Sequence, residues 1–328
     1  MIYSTYHNFG NPVDVINLEE SVLRSLQAGE IRVRIDAAPV NPADINFIQG
    51  TYGVRPELPC TPGIEGCGEV TESQDDRFTI GDKVIFVERA GTWSEEVICN
   101  ADTALKIPEA TPVEQAAMIK VNPLTAWAML TYFKDLPKGS WIIQNAANSG
   151  VGVCVIQIAK LLGIRTINLV RREELIPDLE KLGADIVLLD NAESITHIKK
   201  TLGEEAPSLA LNAVGGDSAL RLMDAITPNG IHVTYGAMSM RSLKVPNKFL
   251  IFKSIQLHGF WCTEWMKEKS SEEIADAFQQ LAQWMISDGL HQPIDSRYNL
   301  TNIKNALARA QESKRNGKVI LVRKHTGV

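Results

Sequence analysis

Apolar and polar residues alternate along the middle of the chain in a pattern that predicts parallel strands joined by helices. Residues 141–143 are a short apolar run typical of a buried strand, and an amphipathic segment follows at 152–162. Gly163 is expected to end that helix, and residues 166–170 form a second buried run. The pattern predicts a β-α-β unit, the building block of a doubly wound parallel sheet.

The same alternation continues to about residue 257. Ligands of such sheets bind at the carboxyl ends of the strands, so the strand ends at 214–216 and 235–238 are candidate cofactor contacts. The other predicted elements are strands at 186–189, 209–214, 231–235 and 255–260, a helix that ends at 182 and a helix at 218–226.

The first 116 residues follow a different pattern, in which short strands are separated by many proline and glycine residues. Residues 31–35 alternate apolar and basic side chains, as a half-buried strand does. We therefore predict a compact barrel-like domain with functional loops. The further strands predicted there are 68–71, 83–87 and 95–99.

The chain after residue 257 is predicted to return to the first domain, because the parallel sheet is complete by then. The expected organisation is therefore an α/β protein with a barrel-like domain at 1–116, a Rossmann domain at 117–257 and a return segment at 258–328. Helices are predicted at 111–117, at 126–133, from the capping box of Ser270 and Glu273 to about 287, and at about 302–312, with a closing strand at 319–322.

Composition and charge exclude several classes of protein. The chain has 33 Lys and Arg against 39 Asp and Glu, and the dispersed basic residues disfavour nucleic acid or an anionic membrane as a partner. No apolar run reaches the roughly 18 residues needed to cross a bilayer. The five cysteines are far apart and indicate neither a disulfide framework nor structural zinc. The N-terminus shows no targeting pattern, so a cytoplasmic location is expected.

A turn of small residues, Asn148-Ser149-Gly150-Val151-Gly152, joins the first predicted strand of the Rossmann domain to its helix. Glycines allow a backbone to approach a pyrophosphate, and the N-terminus of the following helix favours its negative charge. The turn has two glycines and lacks the complete dinucleotide-binding fingerprint, so its assignment depends on the strand before it and the helix after it.

Arg171 and Arg172 follow the second strand, at the distance where a dinucleotide-binding enzyme contacts the ribose. An NAD enzyme usually carries Asp or Glu here, whereas two guanidinium groups suit a 2′-phosphate. The sequence therefore favours NADPH as the cofactor. The alternative interpretation is a basic strand end that faces solvent.

Residues 41–70, together with the turn at Gly150, resemble the medium-chain dehydrogenase/reductase superfamily. This resemblance implies a GroES-like β-barrel catalytic domain and a Rossmann domain. Alcohol dehydrogenases of the superfamily bind catalytic zinc in this region, but Asn41-Pro42 and Ile64 stand where their cysteine and histidine ligands are expected. Ile64 has no lone pair for a metal, and the cysteine-rich lobe that carries structural zinc is missing, so no metal is predicted.

Six segments in the correct order are similar to the zinc-independent 2-enoyl thioester reductases of fatty acid synthesis. The resemblance implies that hydride from NADPH reaches C3 of a 2-enoyl thioester and that Tyr52 protonates C2. The residues alone favour a surface position for Tyr52, in a turn flanked by glycines, and the family resemblance reverses that interpretation. The six segments are 46–59, 121–126, 143–152, 165–171, 233–238 and 250–265.

The same resemblance implies the residues that bind cofactor and substrate. Glu173 stands where the family often has a basic residue, so the 2′-phosphate would depend on the two arginines before it. Trp261 and Trp265 would line an acyl pocket, although an aromatic pair at this spacing usually packs in a core. The implied cofactor-binding residues are Asn122, Asn148, Ser149, Gly150, Val151, Arg171, Arg172, Glu173, Tyr235, Gly236, Ala237, Met238, Phe260, Trp261, Cys262 and Lys318.

The implied partners are an acyl thioester of coenzyme A or of an acyl carrier protein, and a second copy of the chain that joins near Ile255. Two other functions stay open. A zinc-free NADPH quinone oxidoreductase would use the same cofactor site without a proton donor at Tyr52, and a non-catalytic NADPH-binding protein would sense redox state. Neither the acyl chain length nor the carrier is indicated by the sequence.

Overall fold

The computed structural model describes residues 1–313 and 315–323. Within them the backbone forms two compact units. The first unit consists of Met1–Val121 and the described part of Ser271–Val328, and the second unit is Asn122–Ser270. The sequence pattern predicts domain boundaries at 116/117 and 257/258, and that division stays a prediction.

The first unit begins with short strands and helices that follow one another closely. They are β1 (Ile2–Thr5), α1 (Pro12–Val15), β2 (Asn17–Glu20), β3 (Glu30–Pro39), α2 (Pro42–Gln49), β4 (Cys67–Ser73), β5 (Lys83–Phe86), β6 (Glu96–Asn100), β7 (Ala104–Lys106) and α3 (Val113–Ala116).

The second unit alternates helices and strands. Its elements are α4 (Asn122–Tyr132), β8 (Trp141–Gln144), α5 (Gly150–Leu162), β9 (Arg165–Val170), α6 (Ile176–Leu182), β10 (Ile186–Leu189), α7 (Ala192–Leu202), β11 (Leu209–Asn212), α8 (Gly216–Ala225), β12 (Ile231–Thr234), α9 (Asn247–Ile251), β13 (Gln256–Gly259) and α10 (Cys262–Lys267).

The chain then returns to the first unit, as the sequence predicts. The returning elements are α11 (Ser271–Ile286), β14 (Ile294–Tyr298), α12 (Ile303–Gln311) and β15 (Lys318–Val322).

The main sheet of the first unit is built around β3, which pairs antiparallel with β4, β6 and β15. Along β3 every second side chain from Ile31 is buried, because apolar residues alternate there with charged ones. In the described residues the strand order is β14-β15-β3-β4-β5-β7, and β1 and β2 pair separately. One apolar core lies against this sheet and includes Phe86, Trp93 and Leu307. This is the predicted GroES-like barrel domain.

The sheet of the second unit is parallel throughout, with strand order β10-β9-β8-β11-β12-β13 among the described residues. Neighbouring strands are in direct register, for example Ile143 opposite Ile167 and Ala210 opposite Ile143. The carboxyl ends of these strands consequently meet at one edge, where ligands of doubly wound sheets bind. The predicted Rossmann fold is confirmed.

The central helix α5 starts two residues earlier than predicted. Ser149 is its N-cap and accepts a hydrogen bond from the Gly152 N–H at 3.1 Å, so Gly150 already belongs to the first turn. Gly163 ends the helix in the left-handed conformation, with φ of 74°, as predicted.

Candidate active site

The turn between β8 and α5 leaves no room for side chains. A Cβ on Gly150 would lie 2.5 Å from Nδ2 of Asn122, and a Cβ on Gly152 would lie 2.5 Å from the Ala147 carbonyl oxygen. Because α5 begins here, its first N–H groups have no intrahelical acceptors; Ser149 accepts that of Gly152, and those of Gly150 and Val151 can meet an anion. The turn fits a phosphate-binding role, and it brings together Asn122, Ser149 and Gly150 of the predicted set.

Buried amide side chains support this turn from the ends of the strands. Gln144 Nε2 donates to the Gly152 carbonyl at 3.0 Å and to Asn168 Oδ1 at 2.8 Å. Asn145 Nδ2 donates to Asn212 Oδ1 at 2.8 Å. No role for these amides is predicted above, although a polar amide inside an apolar buried strand indicates a hydrogen-bonded structural position. They fix the strand ends on which the turn rests.

The end of β9 places Arg171 and Arg172 differently. Arg171 is exposed and, within the part of the chain that is described, forms no ion pair. Arg172 Nη1 lies 3.2 Å from Oε1 of Glu174. Glu173 begins a single 3₁₀ turn and is exposed. The guanidinium of Arg171 is therefore the one that is not already paired with a carboxylate.

The segment after β12 lies beside the phosphate-binding turn. The Tyr235 N–H donates to the Asn212 carbonyl at 3.0 Å, and the Met238 N–H donates to the Ala213 carbonyl at 2.9 Å. Burial raises the pKa of the Tyr235 phenol, and Ser149 partly opposes that shift. The ends of β11 and β12 are thus tied to each other next to the N-terminus of α5.

Aromatic residues after β13 form a cluster inside the second unit. Trp265 is 6% exposed, and its ring packs on those of Trp127, Tyr132 and Phe260 with centroids 6.1 to 6.4 Å apart. Trp261 is 39% exposed. Of the two tryptophans suggested for an acyl pocket, Trp265 is thus the one that packs within the unit. Cys262 begins α10.

Tyr52 lies in the first unit, in the turn that follows α2. Gly50 ends α2 with φ of 69°, and the Tyr52 N–H donates to the Asn46 carbonyl at 3.2 Å. The Tyr52 ring packs on Phe47, with centroids 4.4 Å apart and planes inclined by 31°. A helix terminus and an aromatic neighbour therefore orient the phenol.

A buried polar network occupies the region where the alcohol dehydrogenases of the superfamily bind zinc. Asn41 Nδ2 donates to Glu65 Oε1 at 2.8 Å, and Lys318 Nζ donates to Asn41 Oδ1. The Ile64 N–H donates to Asp44 at 3.0 Å. Burial raises the pKa of Asp44 to about 7 and also raises the pKa of Glu65. Lys318, predicted to contact cofactor, thus belongs to a network within the first unit.

Two family models match successive parts of the chain. The alcohol dehydrogenase GroES-like domain matches residues 27–109, and the zinc-binding dehydrogenase model matches residues 150–283. Enoyl-[acyl-carrier-protein] reductase, mitochondrial, of Xenopus tropicalis is 39% identical over 328 residues, covering 97% of this chain and 94% of that protein. The chain belongs to the enoyl thioester reductase branch of the medium-chain dehydrogenase/reductase superfamily.

Solved structures of the superfamily match this chain over nearly its whole length. A complex of Etr1p with NADP and crotonyl-CoA has a TM-score of 0.89 and 29% identity, covering 98% of this chain and 99% of that one. A Bacillus thuringiensis protein described as an NADPH:quinone reductase has a TM-score of 0.91 and 28% identity, with the same coverage. The fold is thus shared by both activities considered from the sequence.

Neither a metal cluster nor a membrane-spanning helix is found in the described residues of this reductase. No group of three or more His, Cys, Asp or Glu side chains within residues 1–313 and 315–323 is placed to hold a metal ion. No helix among these residues is long and apolar enough to cross a lipid bilayer.

Proposed function

We propose that this protein reduces the C2–C3 double bond of a 2-enoyl thioester with NADPH. The observation that carries the proposal is the 39% identity with an enoyl-[acyl-carrier-protein] reductase over 97% of the chain. The similar Etr1p structure contains NADP and crotonyl-CoA, which are a cofactor and a substrate of this kind.

The second unit fits the proposed cofactor. The turn at Gly150 and Gly152 excludes side chains and presents the N-terminus of α5, which suits the pyrophosphate. Arg171 and Arg172 follow β9, where they would bind the 2′-phosphate. When bound, NADPH supplies the hydride that adds to C3 of the substrate.

Tyr52 supplies the proton in the proposed reaction. Hydride addition at C3 leaves an enolate-like charge that is shared between C2 and the carbonyl oxygen of the thioester. The Tyr52 phenol, held against Phe47 at 4.4 Å, donates its proton to C2 and hydrogen-bonds the developing oxyanion before it does so. General acid catalysis of this kind contributes roughly 10²- to 10⁴-fold to a rate.

The test is NADPH oxidation by the purified protein with trans-2-hexenoyl-coenzyme A, beside a quinone and beside NADH as reductant. We expect oxidation with the enoyl thioester and NADPH. If NADPH is consumed with a quinone and not with the thioester, the proposed substrate class is wrong. If NADPH binds and no acceptor is reduced, the protein is a non-catalytic NADPH-binding protein.

Quinone reduction is the second candidate function, because the TM-score to the Bacillus thuringiensis protein is 0.91. It needs no proton donor at Tyr52, since hydride transfer to a quinone gives a hydroquinone anion whose oxygen takes a proton from water. The thioester and quinone assays described above separate the two candidates directly.

We further propose that two copies of the chain associate along β13. This strand is at the edge of the parallel sheet, and all four of its residues are exposed. Just before it, Phe252 is 80% exposed and Ile251 is 66% exposed, which is costly in water unless a partner covers them. Light scattering is expected to give a dimer mass, and Phe252→Glu is expected to give a monomer mass.

The remaining proposals concern the carrier and the location. Either coenzyme A or an acyl carrier protein would present the acyl thioester, and kinetics with both forms of one substrate would show which is preferred. The cytoplasmic location stays a proposal, whereas the Xenopus relative is described as mitochondrial. Imaging of the tagged full-length protein in its own cells tests it.

A further inference from the structure

Most arginines of the first unit are neutralised by carboxylates. Arg24 pairs with Glu30 at 2.6 Å, and Arg77 pairs with Asp75 at 2.8 Å. Arg32, Arg34, Arg297, Arg309 and Arg323 form similar ion pairs. Among the described residues of this unit, the arginines without an ion pair are Arg55, Arg89 and Arg315.

Arg55 holds the loop that carries Tyr52. Its Nε donates to the Gly50 carbonyl at 3.1 Å, which closes the loop between residues 50 and 55. Its guanidinium lies 5.6 Å from the centroid of the Phe9 ring. The side chain is exposed, so its remaining N–H groups are available to a ligand.

Arg89 approaches Tyr52 through a shared aromatic neighbour. Its guanidinium carbon is 4.9 Å from the centroid of Phe47, the ring on which Tyr52 also packs. One Nη of Arg89 donates to Sγ of Cys60, and the side chain is otherwise exposed. Arg89 is therefore held on the ring that also packs on Tyr52, whereas Arg55 is held on a different ring and follows Tyr52 by three residues in the same loop.

Such an arrangement is suited to a phosphate ligand. A guanidinium presents a planar fork of donors that matches phosphate oxygens, and contact with an aromatic ring restricts its rotamers before the ligand arrives. Glu57 and Glu88 are exposed in the same two loops, and neither forms an ion pair with Arg55 or Arg89. No carboxylate of the described chain therefore has to be displaced for an anion to bind.

We propose that Arg55 and Arg89 bind the phosphate of the carrier that presents the thioester to Tyr52. Coenzyme A and the phosphopantetheine group of an acyl carrier protein share this chemistry. The inference rests on the proposed function, because it assigns the carrier end of the same substrate. It gives these arginines a role in selecting phosphorylated carriers over simple thioesters.

The kinetic test compares crotonyl-CoA with the crotonyl thioester of N-acetylcysteamine, which has the same reacting atoms and no phosphate. In the double variant Arg55→Gln/Arg89→Gln, the ratio of kcat/KM for the first substrate to that for the second is expected to fall about tenfold or more. The matched control Arg24→Gln/Arg77→Gln removes the same charge from arginines that have carboxylate partners, and its ratio is expected to equal that of the wild type.

Two outcomes of this comparison would overturn the inference. If the double variant loses activity equally on both thioesters, the arginines only support the Tyr52 loop. If its ratio matches that of the control, they do not contact the carrier. Because the binding is electrostatic, the wild-type KM for crotonyl-CoA should also rise with salt more steeply than that of the double variant.

A binding measurement keeps the inference separate from the proposed reaction. Calorimetry of the protein with NADP⁺ and coenzyme A requires no turnover, and about tenfold weaker binding by the double variant is expected. Equal affinity of wild type and variant would refute the phosphate site even if the enzyme reduces enoyl thioesters. If 4′-phosphopantetheine shows the same loss, the phosphate of the arm is recognised. If the double variant binds only coenzyme A more weakly, the arginines recognise the nucleotide phosphates of coenzyme A.

Discussion

Glu65 accepts the N–H of Val121 at 2.8 Å through its Oε2 atom, and both residues lie in the first unit next to its boundary. The same oxygen accepts the Lys120 N–H at 3.0 Å, while Oε1 accepts Asn41 Nδ2. Glu65 is 2% exposed. A buried carboxylate thus holds the backbone immediately before Asn122, one of the residues expected to bind the cofactor.

Glu65→Gln is expected to lower the free energy of unfolding by about 3 kcal/mol, a loss typical of removing a buried carboxylate from the donors that it accepts. An amide has one acceptor oxygen, so its NH₂ group must face either the two backbone N–H groups or the amide of Asn41. Urea unfolding of wild type and variant measures the difference.

Glu69→Gln is the matched control for this experiment. Glu69 pairs with Arg34 at 2.8 Å, but its side chain is 40% exposed, so the loss is expected to stay within about 1 kcal/mol. If the two variants lose the same stability, Glu65 does not hold the backbone before Asn122 in the way described.

Tyr52→Phe is expected to lower kcat for enoyl thioester reduction by about 10²- to 10⁴-fold, because the proton donor is removed. The phenyl ring can still pack on Phe47, so the midpoint of thermal unfolding should change little. Stopped-flow NADPH oxidation and a thermal melt measure the two effects.

Tyr298→Phe removes a phenol from β14 of the same unit and should retain the wild-type kcat. Retention of full activity by Tyr52→Phe on an enoyl thioester would exclude Tyr52 as the proton donor. Equal losses in both variants would show that the assay reports stability instead of proton transfer.

The periodicity of the sequence was sufficient for the parallel sheet. The strand predicted at 186–189 coincides with β10, an uninterrupted apolar run, and that at 231–235 contains β12, in which Ile231 and Val233 are buried. The strand order, with β8 beside both β9 and β11, is set by the packing of distant segments, so no local sequence pattern predicts it.

Other elements gave too weak a local signal. Helix α2 was missed because it has only eight residues and begins at Pro42 within a proline-rich stretch. The contacts of Arg55 with Phe9 and of Arg89 with Phe47 join residues about 40 positions apart. The two glycines and two arginines of the proposed cofactor site were recognisable because their chemistry is local to one β-α-β unit.

His232 is expected to make the stability of the protein sensitive to acid. It lies in β12 with 1% exposure, and neither ring nitrogen has a hydrogen-bond partner among the described residues. Burial lowers the pKa of His232 from 6.5 to about 4. Between these values the unfolded chain binds a proton that the folded protein does not bind. The free energy of unfolding should therefore fall as pH decreases from about 6.5 to 4, by up to about 1.4 kcal/mol per pH unit.

His232→Leu removes this titration and should flatten the dependence of stability on pH in that window. The control His197→Gln changes an exposed histidine of α7 and should leave the wild-type slope in place. Urea unfolding at several pH values between about 4 and 7 makes the comparison. An unchanged slope in His232→Leu would show that other groups cause the acid sensitivity.

Arg171→Gln is expected to raise the KM for NADPH roughly 10- to 100-fold, as expected for the loss of charge-assisted hydrogen bonds to a phosphate. The KM for NADH should change little, because NADH has no 2′-phosphate. Lys181→Gln removes the same charge from an exposed residue of α6 that pairs with Asp178 at 3.6 Å, and should leave both constants as they are. Because the Arg172 guanidinium already contacts Glu174, it cannot take the place of the Arg171 guanidinium without breaking that contact. Equal increases for both cofactors would place Arg171 at the pyrophosphate or in the fold, and no increase would exclude it from the cofactor site.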